Sequence, residues 1–411
     1  MTSPLDMSFV RDSFPALTNG TPYLDNGGGT QVVADVIQRT VEYLTHLNVQ
    51  PVQSTPGLPA EAARRLLEAR QRLASWINAE SDEEIVLGSS TTLLLHLLCE
   101  AFAKGLRAGD EIIVTDFDHE ANIGPWTRLQ AAGVKILTWK VRRPSYTVAT
   151  EDLRELLTSR TRLVCVSHCS NVFGTLNDIE AIADVVHDAG ALLCVDAVGF
   201  APHREVDVRR LKADFYVFSL YKTFGPHYAL LYGRRAALFD LPGLNHFFIE
   251  NTALPYKLQP GGTIFELVYA SAGIVDYLER LGARMTAATG PAERRRAAYT
   301  GIAIHEEQLA ERLLGFLRSR SDVIILGNDS ASRDVRVPII SFVVRGRDSR
   351  EIASKMDRQG LGVRCSDYFV YRYYHQQRLN DFNGILRISF AHYNTLEEVD
   401  KVVDALKRVL C

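Results

Sequence analysis

Four short apolar runs constrain this chain most: Ile112-Ile-Val-Thr115, Leu163-Val-Cys-Val166, Ala191-Leu-Leu-Cys-Val195 and Phe215-Tyr-Val-Phe218. Each is continuous rather than alternating. A strand with one wet face alternates polar and apolar residues, whereas a strand covered on both faces does not. Helical patterns lie between and before the runs. Glu61 to Ile77 places Leu66, Leu73 and Trp76 roughly on one face, and the helix after Thr175 opens with Asn177-Asp-Ile-Glu180, a capping-box-like start. Doubly covered strands alternating with helices predict an α/β fold with a mainly parallel sheet. Ligands of such sheets sit outside the carboxyl ends of the strands.

At 411 residues the chain is too long for one compact domain. Thr286-Ala-Ala-Thr-Gly-Pro291 reads as a joint. Beyond it come a charged helix with Glu293-Arg-Arg-Arg296, a strand Pro338–Val344, a helix near Ser349–Arg358 and a strand Leu386–Phe390. A final helix opens with the capping box Thr395-Leu-Glu-Glu398 and carries Val399, Val402, Val403, Leu406 and Leu410 as an apolar stripe. These features predict a large domain over residues 21–285 and a smaller α+β domain over 286–411, with 1–20 as an N-terminal segment packing on the small domain. The arginine run reads as a solvated helix face.

A net charge of -3 asks for neither nucleic acid nor an anionic membrane. No apolar run reaches membrane-helix length, and the start Met-Thr-Ser-Pro-Leu-Asp-Met has no signal-peptide pattern. The cysteines, Cys99, Cys165, Cys169, Cys194, Cys365 and Cys411, show no CxxC or Cys/His spacing for a metal. Cys165 and Cys194 fall inside strand runs, where reduced core thiols are expected. The expectation is a soluble cytoplasmic protein without a metal.

Lys222 follows the strand Phe215–Phe218 by a few residues, ahead of a Gly-Pro turn. Taken alone it is a surface lysine or, if desolvated, a nucleophile toward carbonyl groups. Asp196, closing the run Ala191–Val195, either holds a cationic ring nitrogen or caps a turn. Ser90-Thr91-Thr92 opens an apolar helix, as an ordinary N-cap or a phosphate cradle. His119 is a polar loop residue or a ring stacked on a planar ligand, and Asn171 follows the strand Leu163–Val166. A nucleophilic lysine, a carboxylate for a pyridinium and a phosphate cradle together are what pyridoxal phosphate requires.

The chain resembles the class V aminotransferase family, in the cysteine-desulfurase-like branch of fold type I pyridoxal-phosphate enzymes. The likeness runs from Tyr23-Leu-Asp-Asn-Gly-Gly-Gly-Thr30 to His392-Tyr-Asn-Thr395, through Asp118-His-Glu-Ala-Asn-Ile-Gly-Pro-Trp126, Ser170-Asn-Val-Phe-Gly-Thr175, Val195-Asp-Ala-Val198, Pro202-His-Arg-Glu-Val-Asp207 and Ser219-Leu-Tyr-Lys-Thr-Phe-Gly-Pro226. It implies a large domain with a mainly parallel seven-stranded sheet. By resemblance, Lys222 holds pyridoxal 5'-phosphate as an aldimine and moves the substrate proton, Asp196 pairs the ring nitrogen, and His119 stacks on the ring. Thr91, Thr92, Ser219 and Tyr221 would bind the phosphate and Asn171 the ring hydroxyl. Arg387 would grip the substrate carboxylate, with Asn26 and Tyr368 beside the substrate. Gly262 and Thr263 fall where such enzymes reach the other subunit's phosphate, which implies a homodimer.

Three positions depart from desulfurases, as judged by that resemblance. The persulfide-forming cysteine falls near Phe369, with Cys365 four residues earlier. Gly199 stands where glutamine or histidine is usual, which would remove a contact and open space beside the ring. Tyr221 stands where histidine is usual. The stretch Tyr368-Phe-Val-Tyr-Arg-Tyr-Tyr-His375 either walls a roomy pocket or packs between domains. Asn245-His-Phe-Phe248, Ile264-Phe-Glu-Leu267 and Phe390-Ala-His-Tyr-Asn-Thr395 resemble a natural-product branch of decarboxylative aldolases and the loline-pathway cyclase group. The implied activity is on a free L-amino acid, through external aldimine and quinonoid or enamine intermediates, to elimination at Cβ or Cγ or carbon–carbon bond formation. A cysteine desulfurase or C–S lyase, and an amino-acid epimerase, are the alternatives.

Overall fold

A computed structural model describes residues 4–411. The continuous runs become the centre of a seven-stranded sheet made of β1 (Ile85–Gly88), β2 (Glu111–Thr115), β3 (Lys135–Trp139), β4 (Thr161–Ser167), β5 (Leu192–Asp196), β6 (Phe215–Ser219) and β7 (Ala229–Gly233). Their spatial order is β1-β7-β6-β5-β4-β2-β3. Strands β2 to β6 pair in parallel, and β7 is antiparallel to both its neighbours, β1 and β6. Six strands therefore end at the same edge. Alternate residues of a strand face opposite sides, and both sides are dry. Val164, Val166, Leu193, Val195, Tyr216 and Phe218 join one apolar cluster, whereas Leu163, Cys165, Cys194, Phe215 and Val217 join another. That division is why the runs read as continuous.

The second unit is an antiparallel sheet of β8 (Val323–Leu326), β9 (Ile339–Val344), β10 (Arg364–Ser366) and β11 (Ile385–Ser389), in the order β10-β11-β9-β8. The last helix, Leu396–Leu410, begins with the capping box of Thr395 and Glu398. Its stripe, Val399, Val402, Val403, Leu406 and Leu410, packs with Ile340, Phe342 and Ile388. The helix Pro291–Arg318 serves both units: Ala298 and Ile302 belong to the large core, Leu309, Leu313 and Leu317 to the small one.

Two expectations change here. Arg295, in the run read as solvated, is buried; it donates to Glu279 at 2.6 Å and to the Ser75 carbonyl at 3.0 Å, tying the long helix to its neighbours. The helix Ile179–Asp188 is capped by Asp178, whose carboxylate accepts from Ala181 N, rather than by Asn177. Asn177 is drawn into the interior, where its amide donates to the Ser167 carbonyl at 2.8 Å. Of the segment expected over 1–20, residues 1–3 lie outside the described residues. The remainder bridges the two units. Phe14 lies 5.8 Å from Phe224 and 5.4 Å from Tyr277 by ring centroid, and 4.7 Å from Tyr393, while Arg11 pairs with Glu398 of the last helix. No described helix is long and apolar enough to cross a membrane.

Candidate active site

The segments leaving the carboxyl ends of β1, β2, β4, β5 and β6 meet around one partly enclosed cavity. A larger, more open depression lies near Lys212, Arg234 and Arg235, but those cations are already paired with Asp184, Asp214 and Glu83. The smaller cavity holds the chemistry.

Past β6 the chain turns through Leu220–Lys222. Thr30 buttresses that turn: its N–H donates to the Tyr221 carbonyl at 3.1 Å, and its hydroxyl accepts from Phe224 N at 2.8 Å. Phe224 is thereby held at a φ of +65°, which a non-glycine residue adopts only under tertiary constraint. The result aims Lys222 into the cavity. Its Nζ makes no hydrogen bond or ion pair among the described residues and lies 5.7 Å from the Tyr221 ring centroid. Its accessible surface faces the cavity, yet protein surrounds it closely enough that desolvation dominates. Burial, helped by Arg387 and opposed by Asp196, lowers its pKa to about 8.

Asp196 ends β5, buried, with one oxygen accepting from Val198 N at 2.9 Å. Burial, reinforced by Asp118, raises its pKa to about 6, and Lys222 pulls it back down. His119 accepts from Ala121 N through Nδ1 at 3.1 Å, which assigns its proton to Nε2. Burial, then Lys222 and Arg387, lower its pKa to about 4, so the ring is neutral at pH 7. At the end of β1, Ser90 caps the helix Thr91–Ala103, and Thr91 and Ser219 share a hydrogen bond of 2.7 Å. Thr92, Asn171 and Tyr221 line the same cavity.

Arg387 comes from β11 of the small unit. Its guanidinium donates to Asp25 at 2.7 Å and to the Asn171 carbonyl at 3.0 Å, and lies 3.9 Å above the Tyr368 ring centroid. Its Nε is buried without a partner. Gly27 packs closely beside it: an added Cβ would stand 3.1 Å from the guanidinium carbon and would push it by a few tenths of an ångström. Asn171 donates to the Tyr368 carbonyl at 2.9 Å.

The structure thus gathers Lys222, Asp196, His119, Thr91, Thr92, Asn171, Ser219 and Tyr221, with Arg387 and Tyr368 adjoining. It places others elsewhere. Asn26 is buried and committed: its amide donates to Ser389 and Asn394, and its carbonyl accepts from Tyr393. It ties the Gly27 loop to β11, and its polar atoms are taken up by protein partners. Gly262 and Thr263 form a half-exposed loop outside the cavity lining. Gly199 opens no space, because a Cβ there would meet the Cys169 carbonyl at 2.8 Å; that backbone fills the gap. Cys365 sits between Arg364 and Ser366 on β10, so it faces away from the Asp25 side that Arg364 takes. Burial raises its thiol to about 11, and it packs against Gly384. Phe369 stands at the cavity mouth, its ring 5.0 Å from His119 and 65% exposed.

Sequence reasoning passed over Ser167 and Cys169 in the lining and Asp25 beside Arg387. Ser167 ends its strand as Asp196 and Ser219 end theirs, a signal that was available. Burial pushes the Cys169 thiol up to about 12, which makes it a poor nucleophile.

An unpaired amine, a carboxylate with a free oxygen, an imidazole wall and hydroxyls at a helix start fit pyridoxal 5'-phosphate. The aminotransferase class-V family profile matches residues 22–402. The aminotransferase-like protein FGM3 of Gibberella zeae is 38% identical over 419 residues, covering 100% of both chains. The cysteine desulfurase-like protein ustD of Aspergillus flavus is 33% identical, covering 99% of this chain and 91% of its own. Among solved structures, a cysteine desulfurase from Thermococcus onnurineus superposes with a TM-score of 0.86 at 25% identity, covering 99% of each chain.

Proposed function

The chain belongs to the class V aminotransferase family of pyridoxal-phosphate-dependent enzymes, and on that premise we propose that it acts on a free L-amino acid by elimination at Cβ or Cγ or by carbon–carbon bond formation, in natural-product biosynthesis. One observation carries this reading over sulfur transfer. The residue beside His119 at the mouth is Phe369, and neither nearby thiol is suited to carry sulfur: Cys365 faces away and Cys169 is held protonated.

When bound, pyridoxal 5'-phosphate supplies an aldehyde for an amine and a ring that accepts electrons from a bond broken at the substrate. Lys222 would hold it covalently, Asp196 its ring nitrogen, and the start of the helix Thr91–Ala103 with Ser219 its phosphate. Released from that bond, the Lys222 amine takes a proton from the substrate's α-carbon side and returns one later. Its lowered proton affinity keeps an appreciable fraction neutral near pH 7. Arg387, pinned over Tyr368 with a buried, unpartnered Nε, would grip the substrate carboxylate. Phe369 and His119 limit water at the mouth.

The deciding experiment supplies purified enzyme with aspartate plus an aldehyde, and separately with cysteine alone. A new carbon–carbon product supports the reading. Alanine from cysteine, with the sulfur left as persulfide and released as sulfide only when a thiol reductant is added, would make it a desulfurase, and inversion at Cα without another product an epimerase.

The lysine also sets a pH dependence for cofactor capture. Only the neutral amine attacks an aldehyde, so the capture rate of the cofactor-free protein should rise with pH and level off above about 8. An ordinary lysine would level off near 10.5. Stopped-flow absorbance across that range checks it.

We further propose a homodimer. On the helix Ala34–Glu42 and its continuation, Ile37, Val41 and Leu44 form an exposed apolar stripe, 45%, 56% and 49% accessible. Phe247 is 99% exposed in the same protein, and the loop of Gly262 and Thr263 would approach the other copy's phosphate. Apolar side chains at helical spacing in water call for a cover. Val41→Asp combined with Leu44→Asp is expected to yield a monomer by light scattering, with at least about tenfold weaker cofactor affinity.

A further inference from the structure

Asp118 is a buried acid that the mechanism above does not use. It is 2% exposed and sits one residue before His119, in the segment leaving β2. Its hydrogen-bond partners are neutral. Ser167 Oγ donates to one carboxylate oxygen at 2.6 Å, Asn122 Nδ2 donates to the other at 2.8 Å, and its own N–H donates to Thr115 at 3.1 Å. No cation pairs with it among the described residues. A buried carboxylate without a countercharge is costly, and a cation brought to it would relieve that cost.

Its place says which cation. Ser167 lines the cavity at the end of β4 and lies directly opposite Asp196 of β5 in the sheet register. Asp118 is therefore behind Ser167, at the end of the cavity that Asp196 occupies. The charged and titratable groups around this end are Asp196 from β5, Cys165 from β4, Lys222 beyond β6 and His119 next in the chain, with Arg387 and its partner Asp25, and Arg364, acting on Lys222 from the far side. Burial holds His119 neutral and Cys165 a thiol, and it pushes Asp118 itself up to about 6. Asp118 and Asp196 thus place two interacting carboxylates at the end where the ring nitrogen would sit, while Lys222 acts on Asp196 and Arg387 is already paired with Asp25. The charge of Asp118 has no cation of its own there.

We infer that Asp118 is a second carboxylate of the cofactor site, a positioning residue that acts through Ser167 and Asp196 to favour the cationic form of the bound cofactor. This rests on the cofactor assignment, and not on which reaction the enzyme performs. The competing role for Asp118 is to shape the His119 loop alone.

Asp118→Asn separates the two. The amide is the same size, Ser167 can still donate to its carbonyl, and Asn122 Oδ1, now buried without a partner, can accept its N–H. The visible absorbance of pyridoxal phosphate bound at Lys222 is titrated against pH in the holoenzyme. Loss of a nearby anion makes the protonated form easier to discharge, so the midpoint should fall by about one pH unit. Ser167→Ala keeps the charge but removes the donor that holds Asp118 ionised, and should move the midpoint the same way by less. An unchanged midpoint in coloured Asp118→Asn protein would overturn the inference, as would an unshifted Ser167→Ala if the first variant does not fold. A wild type that binds no cofactor would instead overturn the cofactor assignment.

Discussion

Lys222→Ala is expected to lower turnover by about 10⁴-fold or more while leaving the protein folded. The magnitude follows from losing both the covalent attachment and the proton carrier in one step. The absorbance of the bound cofactor should change from that of an amine-linked form to that of a free aldehyde. The fold should not suffer, because Nζ makes no hydrogen bond or ion pair among the described residues and its charged form is already disfavoured by burial. Removing an amine with no partner relieves a desolvation cost and severs nothing. The cofactor-free variant should therefore melt no lower than the cofactor-free wild type. A marked drop in melting temperature would mean that Lys222 has a structural partner, and residual turnover within tenfold of wild type would remove it from the reaction.

Arg387→Ala should raise KM by roughly 30- to 4,000-fold, the range set by about 2–5 kcal/mol for one partner of a buried charge pair. Its surroundings also predict which substitution fails to rescue. The guanidinium is flat between Tyr368 and Gly27, with Asp25 and the Asn171 carbonyl on its two ends. Lysine has neither the plane for the stack nor the fork for both acceptors. Arg387→Lys should recover less than a tenth of the loss. If KM holds while kcat falls with a lowered melting temperature, the arginine serves to hold Asp25 and Asn171, and the substrate carboxylate binds elsewhere.

Much of this site is visible in the chain itself. Lys222, Asp196 and Ser219 stand at or just past the ends of runs that only a doubly covered strand explains, and such strands end at one edge; their roles toward a cofactor come from the family resemblance. Arg387 was found from the family resemblance, not from its strand. Asn26 misled because its motif places it beside Arg387, while its amide turns inward to Ser389 and Asn394, partners more than 360 residues away. Gly199 misled for a related reason: absence of a side chain suggests room, but the Cys169 carbonyl already occupies it. Arg295 read as solvated because its neighbours are charged, though one face of that helix packs against Glu279 and Ser75.

The sequence by itself determined the architecture, because burial on both faces of a strand leaves a continuous apolar run and burial on one face of a helix leaves a stripe. It also placed the lysine, the carboxylate and the hydroxyls at one edge of the sheet, because they are tied to strand ends by a few residues of chain. Only the tertiary structure decided which side of a loop each polar group faces: Cys365 turned away, Phe369 at the mouth beside His119, Asp25 on Arg387, and Asp118 behind Ser167. Those outcomes depend on contacts between segments far apart in the chain, where a one-residue change of register or a single neighbouring carbonyl reverses the direction of a side chain.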